Sequence, residues 1–327
     1  MIDCKVSILM ACFNGAKFIK RSFESILSQT WPNIELVFVD DGSTDDSYMV
    51  AESYRDAFHA RKYDLQIIRQ DNQGACAAIV NAANAATGKY LQLLDVDDYI
   101  MPESCLLQAK YLENNPQCNV VRTNGYVVEE NNLEDTSRLL VGANEPKEER
   151  NIFLDLVTGH TNNWAGAYMV RAQRHHEFYS SHELPISRYG QNLQFLLPQT
   201  IDSVTGFIDK PLFKYIRHAG SHSYQISYEK QMENHKGYWD IRRKMLRLLD
   251  VDDKNILTQC EIAFYRRALN IASDFKRIDE YNYFYCKLKE LGGLTLDQKI
   301  QKSVLNKSYS QYFYRACLLV LSLIRKS

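Results

Sequence analysis

The chain has 327 residues, with 39 Lys and Arg side chains against 40 Asp and Glu, and a formal net charge of −1 at pH 7. This near-neutral balance gives no argument, for the chain as a whole, for nucleic-acid binding. The length suits one large domain or two ordinary ones. Residues 1–226 carry 20 basic and 28 acidic side chains, and residues 227–327 carry the other 19 and 12. An acidic part joined to a basic tail indicates that the two parts face different partners.

The eight cysteines are scattered, without the CxxC or Cys/His spacing of a zinc site. They are typical of reduced thiols, so we expect a cytoplasmic protein. The chain begins without a basic region followed by an apolar run, and no secretion signal is expected. The longest apolar cluster, Ala316 to Ile324, is too short to cross a bilayer.

Apolar runs of strand length alternate with amphipathic segments of helical length over residues 1–125. This alternation predicts an α/β fold with a Rossmann-like, mostly parallel sheet flanked by helices. The predicted strands are Val6–Cys12, Ile34–Val39, Leu65–Ile68, Tyr90–Leu94 and Val120–Thr123. The predicted helices between them are Lys17–Gln29, Asp46–His59, Ala75–Ala86 and Glu103–Asn114.

The end of the fourth predicted strand carries three close carboxylates. Asp95, Asp97 and Asp98 follow an apolar run, with no basic residue among them. Carboxylates packed together repel one another, so a site that keeps them ionised tends to hold Mg²⁺ or Mn²⁺. The alternative is an acidic turn that caps a helix starting near Pro102.

Other polar residues follow the neighbouring strands. In parallel sheets, ligands bind beyond the carboxyl ends of the strands. Asn14 follows the first predicted strand, and Asp40 and Asp41 follow the second. After the third strand, Gly74 permits close approach of backbone to a ligand just before a helix N-terminus. Each loop alone is also an ordinary turn, but their joint order favours a site.

Four motifs have the order and spacing of a known family. They are Val6-Ser-Ile-Leu-Met-Ala-Cys-Phe-Asn14, Glu35-Leu-Val-Phe-Val-Asp-Asp-Gly-Ser-Thr-Asp-Asp-Ser47, Asn72-Gln-Gly74 and Gly88-Lys-Tyr-Leu-Gln-Leu-Leu-Asp-Val-Asp-Asp98. Through them, residues 5–225 resemble the inverting family 2 glycosyltransferases, which have the GT-A nucleotide-sugar fold. Nothing comparable covers the last hundred or so residues.

The resemblance implies a nucleotide site and a metal site at these strand ends. Phe13 and Asp40 would hold the nucleobase, with Asp41 beside them. Asp97 would be the surer ligand of Mn²⁺ or Mg²⁺, and Asp95 would face the ribose or sugar or share the metal. Asp98 would lie behind them. The implied nucleotide-binding set is Ala11, Phe13, Asn14, Asp40, Asp41, Asn72, Gly74 and Asp95.

A further match lies at Lys210 to Ser223. Members of the family often carry His or Arg at the position of His218, on a segment that folds over the diphosphate and can complete the metal shell. We favour His218 over the nearby His222, although a lone His is more often structural. Arg217 and Lys214 are alternative phosphate contacts.

Two departures from the family pattern bear on activity. Ala11 and Val80 stand where members commonly have Pro and Arg, which removes one possible phosphate contact. Gln191 and Asn192 stand where the family shows Glu-Asp opening a helix, and the Asp there is the expected general base. An amide cannot take up a proton at neutral pH.

Three explanations of Gln191 and Asn192 are open. The chain binds without catalysing, another carboxylate such as Glu183 or Asp202 acts as base, or positioning and metal suffice. We expect activity, because the metal and nucleotide ends are complete and three mutually repelling acids would be of no use if no metal were bound.

Trp164, with Asn162 and Asn163 before it, combines an apolar face with hydrogen-bonding groups and is the acceptor candidate. Core packing is the alternative for this Trp. Residues 129–150 are polar and predict an excursion near the site.

Helical periodicity dominates from Tyr228, which predicts a GT-A domain over 1–226 and a helical subdomain over 227–327. The predicted helices are Tyr228–Leu249, Asn255–Phe275, Asp279–Leu291, Leu296–Leu305 and Tyr309–Ile324. The last thirty or so residues are basic and aromatic without an acid, which suits an amphipathic helix on an anionic membrane surface.

These features predict a metal-dependent inverting hexosyl- or N-acetylhexosaminyl-transferase, peripheral at the inner face of the cytoplasmic membrane. It would transfer sugar from a UDP-sugar to a glycan or lipid-linked acceptor in surface-polysaccharide synthesis. The first alternative is a non-catalytic nucleotide-sugar-binding or scaffold protein. The second is a nucleotidyltransferase, which predicts a glycine- and lysine-rich loop where Ala11–Lys17 has one of each.

Overall fold

The computed structural model of the chain describes residues 4–142, 147–161, 164–183, 185, 187–218 and 227–305. The chain divides into two compact units. The first comprises Met1–Ile226 and Lys236–Asp252, and the second comprises Ser227–His235 and Asp253–Ser327. The proposed boundary after residue 226 stays a prediction.

An eight-stranded sheet forms the centre of the first unit. Its strands are β1 (Val6–Cys12), β2 (Ile34–Asp41), β3 (Asp64–Gln70), β4 (Tyr90–Leu93), β5 (Tyr99–Ile100), β6 (Cys118–Glu129), β7 (Tyr168–Arg171) and β8 (Val204–Arg217). The order across the sheet is β3-β2-β1-β4-β7-β6-β8-β5. Strands β1 to β4 are mutually parallel, β7 is antiparallel to β4 and β6, and β8 is parallel to β6. The predicted α/β class with a mostly parallel sheet is confirmed.

The helices of the first unit follow the predicted order. They are α1 (Ala16–Leu27), α2 (Ser47–Glu52), α3 (Arg55–Ala60), α4 (Ala75–Ala85), α5 (Ser104–Asn114), α6 (Phe153–Thr158), α7 (Ala172–Ser181) and α8 (Gln191–Thr200). The single helix predicted over Asp46–His59 was wrong, because the chain turns at Ser53 and Tyr54. Tyr54 N–H donates to the Ala51 carbonyl three residues back, which closes a tighter turn.

Strand register determines where the site lies. Cys12 at the end of β1 pairs with Asp40 near the end of β2, and Leu9 pairs with Leu93 at the end of β4. Every residue of β2 and β4 is buried, because both strands are covered on both faces. The loops after β1, β2 and β4 therefore leave the sheet at the same edge, as predicted.

The second unit is helical, with α10 (Lys254–Asp274), α11 (Ile278–Glu290) and α12 (Leu296–Leu305). Helix α9 (Tyr228–Leu248) contributes its first turns to this unit and its remaining residues to the first unit. Asp253 caps α10 by accepting from the backbone N–H groups of Asn255 and Ile256.

The helix predicted over Tyr309–Ile324 lies outside the described residues. Among the helices that are described, none is both long and apolar enough to cross a membrane.

Candidate active site

The loop after β1 is tied to the loop after β2 by several hydrogen bonds. Asn14, at a φ of 52°, donates its N–H to Ser43 Oγ over 2.9 Å, and its Oδ1 accepts from Thr44 N at 2.8 Å. Gly15 N–H donates to Ser47 Oγ over 2.9 Å. Asn is one of the few residues that tolerate a positive φ, so this position suits its type. Asn14 thus holds two strand ends together.

Asp40 and Phe13 have the surroundings that a nucleobase site requires. Asp40 is fully buried, and its Oδ1 accepts the Ser43 N–H over 3.0 Å. Its Oδ2 lies 3.2 Å from Arg69 Nε, yet no described group completes a hydrogen bond to that oxygen. A buried acceptor without a hydrogen bond suits the N–H of a base. Phe13 leaves 53% of its surface exposed and can lie against the ring.

Asp41 shapes the loop that follows β3. Its two oxygens accept from Gln70 Nε2 at 2.8 Å, Gln73 N at 2.9 Å and Gly74 N at 2.8 Å. Gly74 has a φ of 94°, which favours glycine. The carboxylate is therefore engaged by the protein. Direct contact of Asp41, Asn72 or Gly74 with a nucleotide stays a prediction.

Asp95, Asp97 and Asp98 converge after β4. One oxygen from each lies within 4.8 Å of the others. Asp98 is buried and accepts the Ile216 N–H from β8 over 2.9 Å. Burial, with the charge of Asp97, raises the pKa of Asp95 to about 7 and the pKa of Asp98 well above its usual value. Ionising all three carboxyl groups this close together is therefore unfavourable, and a bound cation would stabilise their ionised forms.

His218 and Arg21 approach the same acids. His218 Nε2 lies 2.8 Å from Asp97 Oδ2, and Arg21 Nη2 donates to the Asp97 carbonyl over 2.7 Å. The Phe18 ring lies 4.8 Å from the His218 ring and limits its orientation. The structure thus brings His218 to Asp97, whereas His222 lies outside the described residues.

Helix α8 begins beside the acid cluster. Gly190, at a φ of 68°, precedes it, and Gln191 Nε2 donates to Asp95 Oδ1 over 3.2 Å. The next side chain, Asn192, accepts the O–H of buried Tyr168 over 2.7 Å. Gln191 therefore contacts the acid cluster, and Asn192 contacts Tyr168. A catalytic role for either stays a prediction.

Asp202, offered above as a substitute base, is in the wrong place. It follows the C-terminal end of α8, about 15 Å along the helix from Gln191. The next strand starts with Val204 paired to Cys118, at the beginning of β6. Because β6 runs in the same direction as β4, this is the opposite edge of the sheet from Asp95. Asp202 instead pairs with Arg174 at 2.8 Å. The other substitute, Glu183, is exposed between α7 and α8.

Aromatic side chains lie near the acid cluster. Trp164 is half-buried and stacks on Tyr215 of β8, with ring centroids 5.0 Å apart and planes inclined by 15°. Tyr238 of α9 is 42% exposed; its pKa is raised by burial and further by the charges of Asp95 and Tyr215. Trp164 thus has both packing partners and an accessible surface. Its acceptor role stays a prediction.

The sequence reasoning missed Arg69, Tyr215 and Tyr238. A signal for Arg69 was available, because it directly follows the third predicted strand as Asp40 follows the second. The two residues pair across β2 and β3 in the structure. Tyr215 lies inside the matched Lys210–Ser223 segment, but no periodicity in the sequence indicated that its side chain faces the site. Tyr238 reaches the site from a helix assigned to another domain.

The chain belongs to Glycosyl transferase family 2, whose profile matches residues 7–173, just over half of the chain. The resemblance inferred from the strand-end motifs is thereby confirmed.

Particular relatives match over shorter stretches. The chain is 38% identical over 102 residues to the putative glycosyltransferase EpsH of Bacillus subtilis, covering 31% of this chain and 28% of EpsH. It is 33% identical over 142 residues to the putative glycosyltransferase EpsE of the same organism, covering 43% of this chain and 50% of EpsE. These matches span half or less of the relatives' length.

A solved structure of S. aureus TarS, residues 1–349 in complex with UDP-GlcNAc, has a similar fold. The TM-score is 0.54 at 17% identity, covering 88% of this chain and 92% of that chain. At this identity the likeness shows the GT-A fold alone.

Proposed function

We propose that the protein is a metal-dependent inverting glycosyltransferase. It transfers a sugar from a UDP-sugar to a hydroxyl group of a glycan or lipid-linked acceptor in surface-polysaccharide synthesis. The observation that carries the proposal is the convergence of Asp95, Asp97 and Asp98 with His218, at the edge where β1, β2 and β4 end. Binding of a charged, phosphate-bearing ligand is the use this edge suits best.

The donor atoms fit a hard divalent cation. Asp97 and Asp95 supply carboxylate oxygens, and His218 supplies an imidazole nitrogen whose present partner is Asp97 itself. Oxygen ligands suit Mg²⁺ and Mn²⁺, and the added imidazole favours Mn²⁺. When bound, the cation neutralises charge on the departing nucleoside diphosphate. The raised pKa of Asp95 and Asp98 agrees, because both carboxyls are costly to ionise without a positive charge nearby.

The nucleotide is held at the ends of β1 and β2. Phe13 presents an exposed ring, and Asp40 presents a buried oxygen that lacks a hydrogen bond. Uracil has the ring N–H that such an oxygen accepts. The UDP-GlcNAc bound by TarS supports a UDP-sugar as the donor for a chain of the same fold.

The acceptor lies against Trp164 and Tyr215, whose stacked rings give an apolar face suited to a sugar. Attack from the side opposite the diphosphate inverts the anomeric configuration. As the acceptor oxygen bonds to the anomeric carbon, the bond from that carbon to the diphosphate breaks. Asn192 cannot take the acceptor proton, so the proton passes to water, and the protein works by holding the two substrates in line and stabilising the leaving group. The basic tail of the sequence supports a position at the inner face of the cytoplasmic membrane.

A donor-consumption assay tests this proposal. The purified protein is incubated with Mn²⁺ and each member of a nucleotide-sugar panel, with EDTA as the matched control. We expect release of UDP from one UDP-sugar, by transfer or by slow hydrolysis, and its loss with EDTA. Absence of both reactions with every donor would sink the enzymatic proposal.

One observation favours a second function, a nucleotide-sugar-binding protein without catalysis. The Tyr168 hydroxyl satisfies the Asn192 oxygen at the position where a base is expected. This candidate predicts metal-dependent binding of UDP without turnover. Calorimetry on the same samples separates the two functions.

A further inference from the structure

Arg188 is an exposed cation without a partner beside the nucleotide loop. Within the described part of the chain, this side chain makes no hydrogen bond and no ion pair. Yet it lies against Gly74: a Cβ placed on that glycine would have Arg188 Cγ as its nearest neighbour, at 4.0 Å. An arginine has five N–H donors, so one left without a partner here is able to bind a ligand.

The chain positions Arg188 between two parts of the site. On one side, Gly74 belongs to the loop held by Asp41. On the other side, Gly190 and Gln191 follow within three residues, and Gln191 contacts Asp95 Oδ1 over 3.2 Å. The segment that carries Arg188 therefore connects the nucleotide loop with the acid cluster. A nucleotide sugar with its base at the first part and its sugar at the second would place its diphosphate in this interval.

The neighbouring cations are already engaged. Arg21 donates to the Asp97 carbonyl, Arg69 pairs with Asp40, Lys214 donates to the Leu133 carbonyl, and Arg217 pairs with Glu129. Helix α4, which follows Gly74, contains no Lys or Arg at all. Among the described residues on this side of the site, Arg188 is thus a cation that a ligand can use without breaking an existing contact.

Charge balance favours such a group. Even with Asp98 uncharged, the carboxylates of Asp95 and Asp97 and a diphosphate together carry more negative charge than one divalent cation neutralises. A guanidinium matches two phosphate oxygens at once and stays protonated at any working pH. We infer that Arg188 binds the diphosphate of the nucleotide donor. This inference rests on the proposed function, since it takes the ligand to be a nucleotide sugar.

Calorimetry with two ligands tests the inference. Binding of UDP and of uridine is measured in the presence of Mn²⁺ for the wild-type protein, Arg188→Ala and Arg188→Lys. Arg267→Ala, which removes an exposed arginine from α10, is the matched control. We expect Arg188→Ala to weaken UDP binding about ten- to a hundredfold and to leave uridine binding unchanged. Arg188→Lys keeps the charge but lacks the paired N–H groups of a guanidinium, so its affinity for UDP should lie between those of the wild-type protein and Arg188→Ala.

The outcomes distinguish the inference from the proposed function. If the wild-type protein binds UDP and Arg188→Ala binds it equally well, Arg188 has no part in diphosphate binding and the proposed function stands. If Arg188→Ala loses UDP and uridine in equal measure, the side chain supports the loop and the inference is overturned. If the wild-type protein binds neither ligand, the proposed donor is wrong and the inference falls with it.

Discussion

The proposed nucleotide end and the proposed acceptor end of this site, called the nucleotide end and the acceptor end below, are built in different ways. At the nucleotide end, Asn14, Asp41 and Ser43 form hydrogen bonds to backbone groups of neighbouring loops. At the acceptor end, stacked Trp164 and Tyr215 present an aromatic surface, together with the amides of α8. The loops of the first end are held by hydrogen bonds to one another; the second end owes its shape to the packing of rings.

This difference separates two tasks. A nucleotide diphosphate needs fixed donors and charges, which short loops at adjacent strand ends supply. An acceptor needs a surface of a particular shape, and rings provide area with little polar constraint. Substitutions at the two ends should therefore change different kinetic constants, and the acid cluster between them should affect both.

The largest effect is expected from Asp97→Ala. This carboxylate contacts His218 and belongs to the acid cluster, so its removal takes away the surest metal ligand. We expect loss of the Mn²⁺-dependent part of UDP binding and a fall in transfer of about 100-fold or more. Titration of UDP with and without Mn²⁺ measures it. Asp56→Ala, an exposed acid on α3, is the control, and unchanged Mn²⁺ dependence in Asp97→Ala would refute the ligand assignment.

Asn192→Asp tests the acceptor end by an expected gain of activity rather than a loss. The new side chain has the same size and keeps an oxygen for the Tyr168 hydroxyl, so the fold should tolerate it. A restored base typically gains about 10²-fold or more, and we expect initial transfer rates to rise by at least about tenfold. Product formation at saturating donor is the measurement.

The matched variant for that experiment is Gln191→Glu. It removes the donor to Asp95 Oδ1 and adds a fourth carboxylate to the cluster, so the transfer rate should fall. An Asn192→Asp protein no faster than wild type would mean that position 192 does not face the acceptor hydroxyl.

The nucleotide end was predictable from the sequence because its residues are consecutive and lie at the ends of regular strands. The apolar runs before Asn14, Asp40 and Asp95 fix the strands, and parallel pairing then brings their ends to one edge. The hydrogen bonds of Asp41 could not be predicted, since they depend on the conformation of the loop at Gly74.

The acceptor end was less predictable because its parts are distant in sequence. Strand β8 contains Asp209-Lys210-Pro211, and its register against β6 shifts twice between Thr123 and Tyr126. Simple alternation of apolar and polar residues therefore did not reveal the direction of Tyr215. The sequence of helix α7 is so polar that it resembles a loop rather than a helix. Only tertiary structure brings Tyr238, Tyr215 and Asp95 together.

Asp41→Asn should give a moderate effect at the nucleotide end. One oxygen becomes an NH₂ group, which cannot accept from Gly74 N or Gln73 N and leaves a part-buried N–H without its partner. A lost acceptor of this kind costs about 1–3 kcal/mol. We expect the KM for the donor to rise about tenfold, with kcat changed little. A fall in kcat at an unchanged KM would place Asp41 in the reaction itself.

The smallest effect is expected at the acceptor end, from Trp164→Phe. The phenyl ring keeps a face against Tyr215, 5.0 Å away in the present stack, but offers less area to a sugar. Because such contacts contribute about 0.5–1.5 kcal/mol, the KM for any acceptor that supports transfer should rise only a few-fold, with the donor KM unchanged. Trp239→Phe, whose ring lies under Arg243, is the control. If Trp164→Phe instead raised the donor KM, the two ends would not be independent and the division between them would fail.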